Sequence, residues 1–210
     1  MHDLVIRGAK IVDGMGTAPY SGDVAVDGGI ISQVGGIAGA AKREIDADGA
    51  MAAPGWVDVH THYDGQVTWD PLVSPSSWHG VTSIVMGNCG VGFAPVRPTD
   101  HDMLIELMEG VEDIPGAALH EGVPWGWESF PEFMDALEAM PRAIDVATQV
   151  PHNPVRAYVM GEDASSNRPS TPDERERMAA IVREGLASGA LGFTTSRTKF
   201  HRTSTGEHVP

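Results

Sequence analysis

Cysteine is nearly absent from this chain: Cys89 is the single one in 210 residues, so no internal disulfide can form. A reduced, cytoplasmic protein is the expectation. Basic residues are also scarce. Fourteen Lys and Arg stand against 29 Asp and Glu, a formal charge of −15, which argues against binding to nucleic-acid phosphates or to an anionic membrane surface. No apolar run approaches the roughly 20 residues that span a bilayer. Residues 1–10 lack the cationic segment and apolar core of a secretory leader. What is abundant is apolar and turn-forming. Hydrophobic residues make up 41%, too many for a disordered chain, and 25 Gly with 15 Pro favour strand-rich or α/β architecture over a helical bundle.

Residues 1–53 read as a small β segment. Asp3 to Gly8 and Ala9 to Gly14 are strand-like, and Asp23 to Asp27 alternates apolar with polar residues before the hairpin signal Gly28-Gly29 and the run Ile30 to Val34. From residue 54 the pattern changes to strands separated by helices. Strands are expected at 56–60, 81–86, 144–150 and 192–195, and helices near 100–108, 129–137 and 171–187. Ser129 and Thr171 each precede a Pro and stand three residues before a Glu, which is capping-box spacing. This alternation predicts βαβ units and a parallel sheet, with a long insertion at about 91–143.

Chemistry concentrates in Asp58-Val59-His60-Thr61-His62. Residues i and i+2 of a strand face the same way, so the two imidazoles project together from its carboxyl end, where α/β sheets and barrels carry their sites. Paired neutral imidazoles suit a borderline cation such as Zn²⁺. Asp64, two residues on, reads either as support for such a site, as a substrate contact, or as a turn residue before Gly65. His152 closes the third expected strand and lies where it would line the same mouth. Trp125 and Trp127 read as packing under a lid, and His79, His101, His120 and His201 as surface or capping residues.

The run Ala53-Pro54-Gly55-Trp56-Val57-Asp58-Val59-His60-Thr61-His62 resembles the amidohydrolase superfamily, metal-dependent hydrolases built on a (β/α)8 barrel. Tyr63 to Gln66, Gly80 to Ser83, Gly87 to Gly90, Glu112 to Pro115, Trp125 to Phe130 and Gly189 to Phe193 narrow the likeness to the D-aminoacylase branch, the N-acyl-D-amino-acid deacylases. The resemblance implies an α/β fold in which residues 54–210 form the first half of a TIM-like barrel, preceded by part of a small β-sandwich. It implies one or two Zn²⁺ ions held by His60, His62 and, at the end of the second strand, Cys89; Lys199 is the competing ligand, in carboxylated form. The Pro at position 151, where the branch often has Gly, departs from the pattern beside His152.

Four barrel strands can be read where eight are needed, in about 250 residues. Two further His ligands and a general-base Asp, as the resemblance implies them, would lie outside this chain. The expectation is therefore the N-terminal half of an N-acyl-D-amino-acid deacylase, inactive alone and completed by a C-terminal half that is a separate chain, a cleaved product or a continuation. Its substrate would be a small N-acyl amino acid. Two alternatives stand beside this: another amidohydrolase substrate (a cyclic amide, a dipeptide or a deaminase substrate), and a non-catalytic accessory half-barrel.

Overall fold

Alternating burial along the first strand shows how the opening segment folds. In β1 (His2–Ile11), Val5, Ala9 and Ile11 turn inward while Gly8 and Lys10 face solvent. β2 (Tyr20–Asp27) runs antiparallel to β1 with Val5 opposite Ala25. β3 (Ile30–Val34) returns along β2 through Gly28 and Gly29, whose φ angles of 57° and 79° are the left-handed values a tight hairpin requires. β4 (Ala41–Asp46) and β5 (Met51–Ala52) both pair with β1 in parallel, giving one five-stranded mixed layer. Asp23 ties the layer together: it accepts from the Gly8 and Ala38 backbone amides, each at 2.9 Å, and from Arg7 at 3.0 Å. These elements belong to one compact unit, Met1–Gly55, and the rest to a second, Trp56–Pro210.

The computed structural model describes residues 1–166, 168–196, 198, 201, 202 and 206. In the second unit, β6 (Trp56–Asp58) and β7 (Val81–Met86) are parallel neighbours. Three helices follow: α1 (His101–Glu112), α2 (Gly116–Gly122) and α3 (Phe130–Glu138). They close over a core of Phe93, Leu104, Ile105, Met108, Leu119, Trp127, Phe130 and Phe133, and the Trp127 indole donates to the Phe93 carbonyl at 2.8 Å. β8 (Asp145–Thr148) pairs in parallel with β7. β9 (Val150–Pro151) leads directly into α4 (His152–Met160), and after α5 (Pro172–Ala187) β10 (Phe193–Thr194) pairs in parallel with β9. The fold is mixed α/β. No helix among the described residues is long and apolar enough to cross a membrane.

Ser129 and Thr171 form the expected capping boxes, with Glu132 and Glu174 returning the bond to each cap's backbone. Three expectations need correction. The strand expected at 56–60 ends at Asp58, so His60 and His62 lie beyond it. The strand expected at 144–150 divides at Gln149: the Gln149 amide still donates to Met86 of β7 at 3.0 Å, but the Val150 amide turns to Gly192 at 2.8 Å. Two helices, α2 and α4, were not foreseen; α4 accommodates Pro154 because its first turn needs no amide donor there.

Candidate metal centre

The segment carrying the two histidines is held by the end of β7. The Thr61 amide and hydroxyl both donate to the Val85 carbonyl at 3.0 Å. The buried Asn88 amide reaches the Thr61 carbonyl at 3.2 Å and Val85 at 2.9 Å, and takes a bond from Gln149 at 2.9 Å. Asn88 thus joins the histidine segment to the turn that carries Cys89. The His60 and His62 rings lie 5.4 Å apart between centroids, inclined at 58°.

Cys89 occupies a tight turn, Asn88–Gly90, between two glycines in the left-handed region, Gly87 at φ 76° and Gly90 at φ 78°. Cys89 itself has φ 53°, a conformation that costs a residue with a side chain on the order of 1–3 kcal/mol and persists only where its surroundings enforce it. Those surroundings are visible. The Gly87 amide donates to Asp64 Oδ1 at 2.9 Å, the Gly87 carbonyl accepts from the Thr194 hydroxyl, and the Gly90 amide donates to that same hydroxyl at 3.3 Å. A methyl group on Gly87 would stand 2.2 Å from the Gln149 carbonyl oxygen, so only glycine fits this approach.

The result is convergence. Cys89 Sγ lies 3.4 Å from His60 Nε2, and one ligand atom from each of His60, His62 and Cys89 falls within 4.8 Å of the others. Two nitrogens and a sulfur at such separation fit a zinc-type ion. Among the described residues, His62 Nδ1 is buried without a hydrogen-bond partner, an orphaned polar atom at the edge of this cluster. Burial, with His60 and His201 beside it, lowers the His62 pKa to about 4, so its imidazole is neutral at pH 7. Burial also raises the Cys89 thiol, reinforced by the charges of Glu112 and Asp64; a cation would reverse that balance.

Asp64 is buried. Its Oδ1 is bonded to Gly87, its Oδ2 has no partner among the described residues, and burial pushes its carboxyl up to about 7. His152 opens α4, with Nδ1 3.2 Å from the Thr195 hydroxyl and its Cβ beside the position a Gly90 side chain would take. It stands next to the Cys89 turn without joining the three-residue cluster. Lys199 lies outside the described residues. His101 stacks on Trp125 at 3.9 Å and His120 faces Asp102 at 3.8 Å. His201, expected as a surface residue, is half-buried and its charge is felt by His62. Sequence reasoning gave no role to Glu112, whose Oε1 is 3.4 Å from His62 Nε2, or to Thr194 beneath the cysteine turn.

Known proteins resemble this chain over most of its length. A model of the amidohydrolase family matches residues 43–207. D-aminoacylase of Alcaligenes xylosoxydans xylosoxydans is 32% identical over 194 residues, 92% of this chain and 37% of that protein. N-acyl-D-aspartate deacylase from the same organism is 34% identical over 194 residues, again 92% of this chain and 36% of the relative. A crystal structure of D-aminoacylase, described as defining a novel subset of amidohydrolases, superposes with a TM-score of 0.75 at 33% identity, over 93% of this chain and 38% of that one. N-acyl-D-glutamate deacylase from Bordetella bronchiseptica, solved with zinc and a phosphonate mimic of the tetrahedral intermediate, gives a TM-score of 0.72 at 30% identity, over 92% of this chain and 38% of that one. The chain spans little more than a third of the length of these relatives. With its matched region running through both the histidine pair and the cysteine turn, the chain belongs to the amidohydrolase family.

Proposed function

We propose that this chain supplies three zinc ligands, His60, His62 and Cys89, to a hydrolase of amide C–N bonds whose substrate is an N-acyl-D-amino acid. The observation that carries the reading is the approach of Cys89 Sγ to His60 Nε2 at 3.4 Å, with His62 in the same group. In this reading β6 to β10 and their helices are the first part of a (β/α)8 barrel, and β1 to β5 are one layer of a small β-sandwich. The remaining strands, any further ligands and a proton-accepting Asp would come from outside these 210 residues, by continuation of the polypeptide or from a second chain. The similarity to deacylases over 92% of this chain supports the substrate class.

Zinc bound here would supply Lewis acidity, polarising an amide carbonyl and acidifying water. The chain's own residues do the holding. His60 and His62 present neutral nitrogen donors, and Cys89 brings the negative charge that two imidazoles lack. Asp64 and Thr194 fix the turn that aims the sulfur. His152, braced by Thr195, borders the Cys89 turn where an acyl substrate would approach.

The test is metal content and hydrolysis measured together on the complete enzyme, this chain with the continuation or second chain that completes it. Zinc retained by the wild type and lost in Cys89→Ala, with release of the amine from N-acetyl-D-amino acids and not from the L-forms, is expected. Zinc without D-selective hydrolysis would redirect the substrate to another amide. Absence of a bound ion would leave an accessory, non-catalytic role.

A further inference from the structure

Thr61, the residue between the two histidines, is buried and bound at each of its polar atoms. Its amide and hydroxyl donate to the Val85 carbonyl, and its own carbonyl accepts from Asn88 Nδ2 at 3.2 Å. Asn88 is buried too, and it immediately precedes Cys89. One amide side chain thus holds the segment of both imidazoles to the turn of the sulfur. That clamp has a single workable orientation. Asn88 Nδ2 carries two protons, one for the Thr61 carbonyl and one for the Val85 carbonyl at 2.9 Å. The reversed amide would set Oδ1 against both carbonyl oxygens.

Asn88 Oδ1 therefore needs a donor from elsewhere, and Gln149 Nε2 supplies it at 2.9 Å. Gln149 is the residue at which the third expected strand divides. Its amide still donates to Met86, the next amide turns to Gly192, and Gln149 belongs to neither β8 nor β9. From that break its side chain reaches Asn88 and, among the described residues, bonds to no ligand. We infer, resting on the reading of His60, His62 and Cys89 as metal ligands, that Gln149 is a positioning residue. It dictates the amide orientation of Asn88, and Asn88 locks the histidine segment to the Cys89 turn. Outer partners that hold ligands in place are worth about 10- to 100-fold in metal affinity.

The test loads the complete enzyme, this chain with the continuation or second chain that completes it, with Co²⁺. Its visible spectrum reports ligand geometry, its thiolate charge-transfer band reports Cys89, and competition with a chelator gives the affinity. Gln149→Glu keeps the shape but sets a carboxylate against Asn88 Oδ1. It is expected to weaken Co²⁺ binding about 10-fold and to shift the ligand-field bands. Gln149→Met removes the bond without the repulsion and should shift both in the same direction by less. In an Asn88→Ala background, Gln149→Glu should change the affinity no further, because its effect passes through Asn88. If Asn88→Ala does not fold, the order of the two Gln149 variants decides the matter. Thr171→Ala, which loosens a helix cap bonded to neither ligand segment, is the control and should keep the wild-type spectrum. Wild-type affinity and spectrum in both Gln149 variants would overturn the inference. So would losses that add in the double variant, or a control spectrum that shifts as the variants' do. Failure of the underlying reading looks different: the wild type itself would then show no thiolate band with Co²⁺.

Discussion

The carboxylate of Asp64 accepts the backbone amide of Gly87 at 2.9 Å, so the residue two places beyond His62 pins the turn that carries Cys89. Donor atoms from distant parts of the chain are thereby placed by one buried side chain. Replacing Asp64 by Ala leaves the buried Gly87 amide unpaired, at a cost of about 1–3 kcal/mol. Asp64→Asn keeps an acceptor and is expected to lose less. Urea unfolding midpoints of the two variants check the order, and zinc content should fall in the same order.

Gly87→Ala is expected to be worse than either. The new methyl would meet the Gln149 carbonyl at 2.2 Å in a backbone held at φ 76°. Left-handed strain of about 1–3 kcal/mol adds to an overpacking cost of about 1–3 kcal/mol. Gly126→Ala, where no atom of the described residues lies within 4 Å, is the contrasting control and should leave the melting temperature nearly unchanged.

The caps of α3 and α5 give a milder effect. Ser129 and Thr171 accept the Glu132 and Glu174 amides at 3.3 and 3.2 Å, and each Ala replacement is expected to cost about 1 kcal/mol. Neither cap hydrogen-bonds to the cysteine turn, so zinc stoichiometry should not change. Calorimetry and metal analysis of the same preparations check both halves of this statement.

Glu174 sets a pH window. The Arg168 guanidinium, then the Thr171 amide, hold its carboxyl at about 2, against an ordinary value of 4.5. A depressed native value stabilises the fold above the unfolded value, so the contribution is complete above pH 4.5 and fades as pH falls toward 2. The stability advantage of wild type over Glu174→Gln should follow that course in urea titrations at stepped pH. An advantage that persisted at pH 2 would contradict the assignment.

The alternation of strands and helices was legible because apolar runs and capping boxes are local signals, and Ser129 and Thr171 act where their spacing places them. His60 and His62 were legible as a pair, although the pleat of a strand is not what aligns them. β6 stops at Asp58, and the pair is set by Thr61 and Asn88 bonding to Val85. Gly87 and Gly90 marked the cysteine turn, but its support by Asp64, Thr194 and Gln149 comes from three separate segments and has no local signature. Glu112 was hidden for the same reason: it meets His62 only through the packing of α1. The break at Gln149 escaped notice because a residue that changes hydrogen-bonding partners between two strands keeps the apolar pattern of one.

Zinc-edge X-ray absorption on the full chain tests the central claim most directly. One sulfur scatterer near 2.3 Å with nitrogen scatterers near 2.0–2.1 Å is expected, the sulfur disappearing in Cys89→Ala. A first shell of nitrogen and oxygen alone in the wild type, unchanged by that substitution, would contradict the account.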